Sequence, residues 1–588
     1  MPTKRTHVIA LILGLATIGA LLGSAVRDVW TIDPDAAAYV TLGRSLASGD
    51  GYVLDGVPHG KYPPGLPTLV AALVPLAGVE GYATFHLALV ALLLVAAGAS
   101  FSLTRQLGHG PLLALVVAAA VGTSLTLFDL SVRYLRTEVL FLAVSLAALL
   151  LARRALTPGG RGWQAVLAGL AMAATMATRL AGVTLLVVPA WHLLRPADPE
   201  GGRRRAALVL ALGLVFPVAW VVRGQQIGAD HPDAPDYGAE LFAAAPRDLT
   251  KTVPEDLPRV DASGMVRRVA GNLAVFARAC GVLLTNVDKT GQILAAGAAL
   301  SALVLLGLLR MLAAGGARRD ASLYVLATLA LYLIWPFNQQ ERFYVPLLPW
   351  LLLAAGEGLA WAWSVARRLT ERRPGKLAVV AGLALVTVAL ALRRSNAPTL
   401  LGRWSPSYAA VLAALAVATL AAAFWLRRRD LPALRASHAL LLPLLFAGPF
   451  LHERFVAWPE QVREHTAHRE AAAVDGPLAS IHVNVLLEEL ALHLAANTPP
   501  DAVLMTDVPK IMAILTGRRC VPFRYRREPP AIVTEGVDYV FYTREIPEVA
   551  AIMDACADRF DVALRLAPVW DGMREVEPVL YAVGDGED

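Results

Sequence analysis

The chain has 588 residues, of which 56% are hydrophobic and only 17% charged, with a mean hydropathy of +0.54. Soluble domains carry about 25% charged residues, so a soluble protein of this size is excluded; the apolar residues fall in blocks of about 20, the length a helix needs to cross a bilayer. The net charge of +6 arises from arginine clusters spread through the short segments between those blocks, which excludes a nucleic-acid footprint, because such footprints concentrate on one face of a domain.

The first apolar run, Val8 to Val26, follows "KR". It reads as an uncleaved span because many more follow, although the "GSA" near its end also suits a signal peptide. Just beyond it stands "TIDPDAAAYVTLGRSLASGDGYV". Asp33 followed by Pro34 fits a helix N-cap with proline at the first helical position. Tyr39, Leu42 and Leu46 then share one face, with Arg44, Ser45 and Ser48 turned away, and Gly49 and Gly51 stop the helix. An amphipathic helix beside a span lies in the headgroup plane. Asp33 therefore has a sufficient structural task. Asp35, at the second helical position, favours the helix dipole by about 0.3–1 kcal/mol, and the dipole keeps it ionised, the state a proton acceptor needs. This first outer loop, 27–65, closes on "GVPHGKYPPGLPTLV".

Further spans are expected at Tyr82 to Leu103, Pro111 to Leu130 and Val139 to Ala152, then at a tight pair, Trp163 to Thr178 and Leu180 to Leu194, around Arg179. Ala206 to Val222 leads into a long polar outer loop, 223–292. Ile293 to Met311, Ser322 to Trp335, Tyr344 to Trp361, Leu377 to Leu392, Ala409 to Leu426 and Ala439 to Val456 complete a set of about thirteen. Alternate loops hold "LARRALTPGGRG", "RPADPEGGRRR", "GGARRD", "ARRLTERRPGK" and "RRRDLPALR". Short loops rich in Lys and Arg stay cytoplasmic, which puts the aspartate loop, "LSVRYLRTE", "FNQQERFY" and everything after residue 457 outside. "RRSNAPTLLGRWSPSY" places Arg393 and Arg394 against this rule.

The outer region, 458–588, has soluble texture. "VNVLLEELALHLAANT" has helical periodicity, while "DAVLMTD" and "DYVFYT" read as strands, each followed by a helical stretch with Pro509 or Pro547 near its start. That alternation indicates a small α/β domain. The three cysteines, Cys280, Cys520 and Cys556, form no framework; Cys520 and Cys556 share this region, and spacing does not establish a pairing. The expected architecture is thus a polytopic α-helical membrane module, 1–457, followed by an extracytoplasmic α/β domain.

Several short motifs recur in one order on the outer face: Asp35 with Tyr39, Tyr62–Pro63–Pro64–Gly65, "LRTEVLF", "ATRLAG", "ERFYVPLLPWLLL" and "DVPKIMAILTGRRCVPF". This order resembles the GT-C glycosyltransferases that use polyprenyl-phosphate sugars, a group including protein O-mannosyltransferases, lipid A aminoarabinose transferases and bacterial relatives. In that family an aspartate in the first outer loop begins a D-x-x-x-Y helix, and a "PPG" or "KPP" segment closes the loop. Many relatives carry an acidic residue directly after that aspartate, where this chain has Ala36. The resemblance implies sugar transfer from a polyprenyl-phosphate donor to a lipid, glycan or protein acceptor, inverting, at the periplasmic face of a bacterial inner membrane.

Such a reaction needs a base for the acceptor hydroxyl and positive charge beside the departing phosphate. Asp35 is the expected base. Lys61, Arg133, Arg136, Arg179 and Arg342 lie at one depth for the phosphate; arginine suits it because its fork makes bidentate hydrogen bonds, and membrane arginines usually pair or line a cavity. Asp33, Tyr39, Tyr62, Glu138 and Tyr344 complete the expected substrate-binding set, Glu138 either positioning the acceptor or holding an arginine. No cofactor is evident, no Cys/His cluster has zinc spacing, and the need for a divalent metal is left open. A secondary transporter is the rival from another class, but transporters tend to show internal repeats and helices broken at the midplane, and no repeat relates the two halves here. An O-antigen ligase or polymerase is the second rival; those generally carry one large outer loop late in the chain and no aspartate helix after the first span.

Overall fold

The structure is a computed structural model that describes residues 4–26, 33–196 except 55 and 80, 201–230, 259–285, 293–336, 340–372 and, with breaks, 491–583. It divides into two compact units, one comprising Met1–Leu273, Leu323–Leu347 and Gln461–Asp588, the other Ala274–Ser322 and Leu348–Glu460. The expected spans from Leu377 to Val456 and the expected domain boundary at 457/458 lie outside the described residues.

In the first unit, α1 (Lys4–Ala25) is the apolar run met first in the sequence. Next comes α2 (Pro34–Ser48), which starts on Asp33 as its N-cap and closes at Gly49, in the left-handed region at φ 88°. A two-stranded ribbon, β1 (Val53–Leu54) with β2 (Val57–Pro58), follows, then α3 (Gly65–Ala77), which packs along α2. The long helices α4 (Tyr82–Gln106) and α7 (Glu138–Leu156) pack against each other, α4 by one face and α7 buried all round over its first turns. Between them, α5 (Pro111–Gly122) and α6 (Leu125–Val132) meet at a 46° bend. The single span expected at Pro111 to Leu130 is therefore broken, at Thr123 and Ser124, which fall between the two helices. From there α8 (Gly162–Thr178) returns beside α7, a 3-10 turn over Leu180–Leu186 leads into α9 (Val187–Leu194), and α10 (Gly201–Asp230) packs on α8 and α9.

Seven helices are long and apolar enough to cross a membrane among the described residues, or up to eight counting the bent pair. One was not anticipated. The stretch expected to be the long polar loop begins inside α10, which runs on to Asp230, and holds α11 (Ala262–Thr285), one of the seven. Arg267, Arg268 and Arg278 interrupt its apolar pattern, so no continuous hydrophobic block marks it. The helix α3 was missed for another reason: with 13 residues and an internal Pro75 it is too short and too interrupted to read as a span.

The second unit pairs α12 (Ile293–Ala314) closely with α15 (Leu348–Arg372), Ala354 lying against Gly307. Two elements precede α15 in the chain: α13 (Gly316–Ile334), and the one-turn α14 (Glu341–Tyr344), which continues through a 3-10 turn.

Near the C-terminus the strands expected at "DAVLMTD" and "DYVFYT" are present as β3 (Val503–Thr506) and β5 (Tyr539–Phe541), parallel to each other. Helix α16 (Pro509–Thr516) follows β3, and β4 (Arg519–Pro522) pairs parallel to it on the other side. Two more strands, β6 (Phe560–Arg565) and β7 (Val579–Val583), extend the sheet antiparallel, in the order β4-β3-β5-β7-β6. This is an α/β arrangement. Cys280 and Cys520 are buried; Cys556 and the helix expected near Pro547 lie outside the described residues.

Candidate functional site

The start of α2, the start of α7, the end of α8 and the start of α14 bring their charged side chains together. Each is there for a local reason. Asp33 caps α2: its Oδ1 accepts from the backbone N–H of Asp35 at 3.1 Å and of Ala36 at 3.3 Å. Its other oxygen accepts from Arg136 Nε at 3.0 Å. The cap fixes the start of the helix, so Asp35 stands one residue inside it. Asp35 Oδ1 accepts from the Tyr62 hydroxyl at 3.0 Å, and Oδ2 lies 2.9 Å from an Arg342 guanidinium nitrogen. Arg342 also donates through Nε to Glu138 Oε1, and the same oxygen takes Arg179 at 2.6 Å.

The result is a continuous run of alternating charge, Asp35–Arg342–Glu138–Arg179, with the Asp33–Arg136 pair beside it. Three carboxylates face three guanidinium groups, which makes so much buried charge tolerable; an unpaired buried ion would cost several kcal/mol. Side-chain exposure differs sharply: Glu138 0%, Asp33 11%, Asp35 23%. Glu138 is therefore the interior anchor, holding two arginines, and its Oε2 makes no hydrogen bond among the described residues. Arg179 stands extended between α8 and the 3-10 turn, reaches Thr137 Oγ1 at 3.2 Å and lies 5.3 Å over the Phe343 ring.

Tyr62 links the aspartate helix to the "PPG" segment. Its ring meets Tyr39 edge-on at 5.2 Å. Burial, and then the Asp35 charge, push the Tyr39 hydroxyl far above the ordinary phenol range, so it remains neutral. The glycine of the motif has a steric purpose: a Cβ on Gly65 would stand 2.7 Å from the Ala177 carbonyl and 2.8 Å from Thr178 Cα. The start of α3 thus presses on the end of α8, directly before Arg179.

Of the expected site residues, Asp33, Asp35, Tyr39, Tyr62, Arg136, Glu138, Arg179 and Arg342 are brought together. Arg133 is not part of the ion-pair run: it turns to Asp129 on the preceding helical turn, at 3.4 Å, and over the Tyr134 ring, which it shares with Arg136. Lys61 lies 5.9 Å over the Tyr62 ring. Tyr344 is buried edge-on against Tyr332, which also stacks on Phe343. Three further residues, not singled out in the sequence, adjoin this segment: the Tyr52 hydroxyl donates to the Tyr62 carbonyl, His59 Nε2 accepts from the Tyr62 N–H, and Arg223 donates to the His59 carbonyl. His59 sits three residues before Tyr62, inside the quoted "PHGKYPPG", and Arg223 falls at the edge of the expected loop, where α10 in fact continues. Among the described residues no group of three or more His, Cys, Asp or Glu is placed to hold a metal ion.

The backbone as a whole has the GT-C fold, as its likeness to solved structures shows. It matches ArnT from Cupriavidus metallidurans in the apo state with a TM-score of 0.51 at 14% identity, over 99% of this chain and 98% of that one. The same protein bound to undecaprenyl phosphate matches at 0.50, with the same identity and coverage. The Archaeoglobus fulgidus oligosaccharyltransferase, tethered with an acceptor peptide containing the NVT sequon via a disulfide bond, matches at 0.51 and 11% identity, over 99% of this chain and 74% of that one. No protein-family model matches the sequence, and neither does any curated protein. At these identities the likeness is one of fold.

Proposed function

We propose that this protein is a glycosyltransferase that moves a hexosyl or pentosyl group from a polyprenyl-phosphate carrier to a hydroxyl of a lipid, glycan or protein acceptor, with inversion. The observation that carries the reading is the Asp35 carboxylate: the most exposed of the three clustered carboxylates, fixed at the N-terminal end of α2 by the Tyr62 hydroxyl on one oxygen and Arg342 on the other. An ionised carboxylate accepts hydrogen bonds through both oxygens, the property a base for an acceptor O–H needs. Asp35 takes that proton as the acceptor oxygen bonds to the sugar's anomeric carbon. The bond from that carbon to the phosphate oxygen breaks, and the carrier phosphate leaves with the electron pair. Arg342 and Arg179 are fixed at the same helix ends, where preorganised donors stabilise charge growing on a leaving oxygen. Arg136, Arg133 and Lys61 add positive charge nearby.

Two features support the partners and the side. The fold neighbours include one bound to undecaprenyl phosphate and one tethered with an acceptor peptide. Arg153, Arg154, Arg161 and Arg203–Arg205 sit at the opposite ends of α7, α8 and α10 from the carboxylate run; Lys/Arg-rich short loops stay cytoplasmic, which supports a periplasmic Asp35 at a bacterial inner membrane. The test compares Asp35→Asn with Asp33→Asn in membranes supplied with radiolabelled polyprenyl-phosphate sugars. Asparagine caps helices as well as aspartate does, so Asp33→Asn keeps α2 and retains transfer within several-fold. Asp35→Asn is expected to lower the rate roughly 100- to 10,000-fold, the usual contribution of a positioned base. Equal activity in the two variants, at equal protein levels, removes Asp35 from the mechanism.

A further inference from the structure

The residue that touches Asp35 from the loop side, Tyr62, is held in an unusual way. It precedes Pro63 and Pro64, which have no N–H to donate, and it follows a ribbon whose last strand ends at Pro58. Its own backbone is instead gripped by side chains. The Tyr62 N–H donates to His59 Nε2 at 2.9 Å, and the Tyr62 carbonyl accepts from the Tyr52 hydroxyl at 2.7 Å. The His59 ring also stacks on the Tyr62 ring, with centroids 5.2 Å apart and planes 16° apart. His59 is 5% exposed. Its own main chain is tied down in turn: its N–H donates to the Tyr52 carbonyl at 3.0 Å, and its carbonyl accepts from Arg223 Nε at 3.3 Å.

We propose that His59 is a positioning residue for the Asp35 base: its neutral imidazole holds Tyr62 by the backbone and the ring, and Tyr62 in turn holds Asp35 through its hydroxyl. This rests on the transfer reading above. The hydrogen bond requires a lone pair on Nε2, so the ring proton sits on Nδ1. Protonating the ring converts the only acceptor available to the Tyr62 N–H on that ring into a donor. Two N–H groups then face each other, and Tyr62 must move. Imidazole is the side chain that changes charge nearest neutrality, so this link is sensitive to pH. Among the described residues, the charged and titratable groups around it include Tyr52, Arg223 on α10, Lys61 in its own loop, and Asp35 and Tyr39 on α2, reached across the Tyr62 ring. Tyr52 cannot replace it as a switch: burial holds its hydroxyl far above the ordinary phenol range, as a donor throughout.

The experiment measures sugar transfer by full-length protein in membranes, with radiolabelled polyprenyl-phosphate sugar as the probe, from acid to mildly alkaline pH. The wild type, His59→Gln and His59→Phe are compared, with folded protein quantified by thermal unfolding in detergent. Glutamine keeps an acceptor oxygen and cannot titrate. His59→Gln is expected to retain transfer near neutral pH within fivefold and to move the acid limb of the rate profile by at least one pH unit to lower pH. His59→Phe keeps the ring stack and loses the acceptor; its kcat falls about tenfold while KM for the donor stays within twofold. An acid limb unmoved in His59→Gln, or a full rate in His59→Phe, overturns the proposal. If Asp35→Asn abolishes transfer in the same assay and the His59 variants behave as wild type, the transfer reading stands and only the role of His59 falls. Transfer intact in Asp35→Asn sinks the reading itself.

Discussion

Two arginine-rich parts of the first unit handle charge in opposite ways. At the starts of α2, α7 and α14 and the end of α8, arginines 136, 179 and 342 are each about one-fifth exposed or less and each meets a carboxylate. At the start of α11, Arg259, Arg267 and Arg268 line an open cavity of about 530 Å³ whose one acidic lining residue, among the described residues, is Asp261. Asp261 is spent on its own turn, accepting from Ser263 and from the Gly264 N–H, and that backbone bond, followed by the Ser263 bond, holds its carboxyl below the usual range. Of the second group, Arg259 and Arg267 are exposed to solvent. In the first, neutralisation by neighbours replaces water, so position rather than composition decides which charges the fold depends on.

The comparison breaks most visibly at Glu138. It is fully buried and is the shared counter-ion of two arginines. Removing one partner of a buried ionic group typically destabilises by about 3–5 kcal/mol, because the other charge is left uncompensated. Glu138→Ala is therefore expected to give the largest loss of folded protein, read by thermal unfolding in detergent, with transfer lost alongside. Glu138→Gln, which keeps the volume, should fold better and still fail to hold Arg342 on Asp35. A Glu138→Ala protein as stable as wild type would mean that the run of alternating charge is not what holds these helix ends.

The next effect is steric. Gly65→Ala puts a methyl against the Ala177 carbonyl and Thr178 Cα, both backbone atoms that cannot rotate away. Overpacking of this kind costs about 1–3 kcal/mol. Because Tyr62 precedes the contact and Arg179 follows it, transfer should fall more than stability does. Stability lost with the rate per folded molecule unchanged would reduce the "PPG" glycine to a packing residue.

How much of this was legible beforehand follows the reach of each interaction. The Asp33 cap, Pro34, the place of Asp35 inside the helix and the stop at Gly49 are local, and sequence spacing alone expresses them. Arg179 stood out because a charged residue between two apolar runs has no local reason to be there. The partners of Arg342 depend on α7 and α14 meeting, and no local pattern encodes that; it takes Glu138 and Asp35 together. Arg133 shows the opposite case: it pairs with its i, i+4 neighbour Asp129, a local contact that sequence spacing does express. Helix α11 was hidden because its arginines dilute an apolar pattern that hydropathy averages over a window.

The smallest expected effect lies at those same arginines, and it is the sharpest control on the comparison. Arg267 is exposed, and one nitrogen of its guanidinium donates to Ser263 Oγ at 3.1 Å. Exposed substitutions away from caps, cores and buried networks usually change stability by less than about 0.5 kcal/mol. Arg267→Ala should therefore leave the unfolding temperature and the transfer rate within error of wild type, at any salt concentration that preserves the membrane. The contrast is with Arg342, whose replacement by alanine strips a partner from both Asp35 and Glu138. If Arg267→Ala lowered transfer more than fivefold, without a change in stability, the open cavity at the start of α11 would have to be binding an anion that the reaction needs, and the division between solvated and neutralised arginines would no longer separate bystanders from participants.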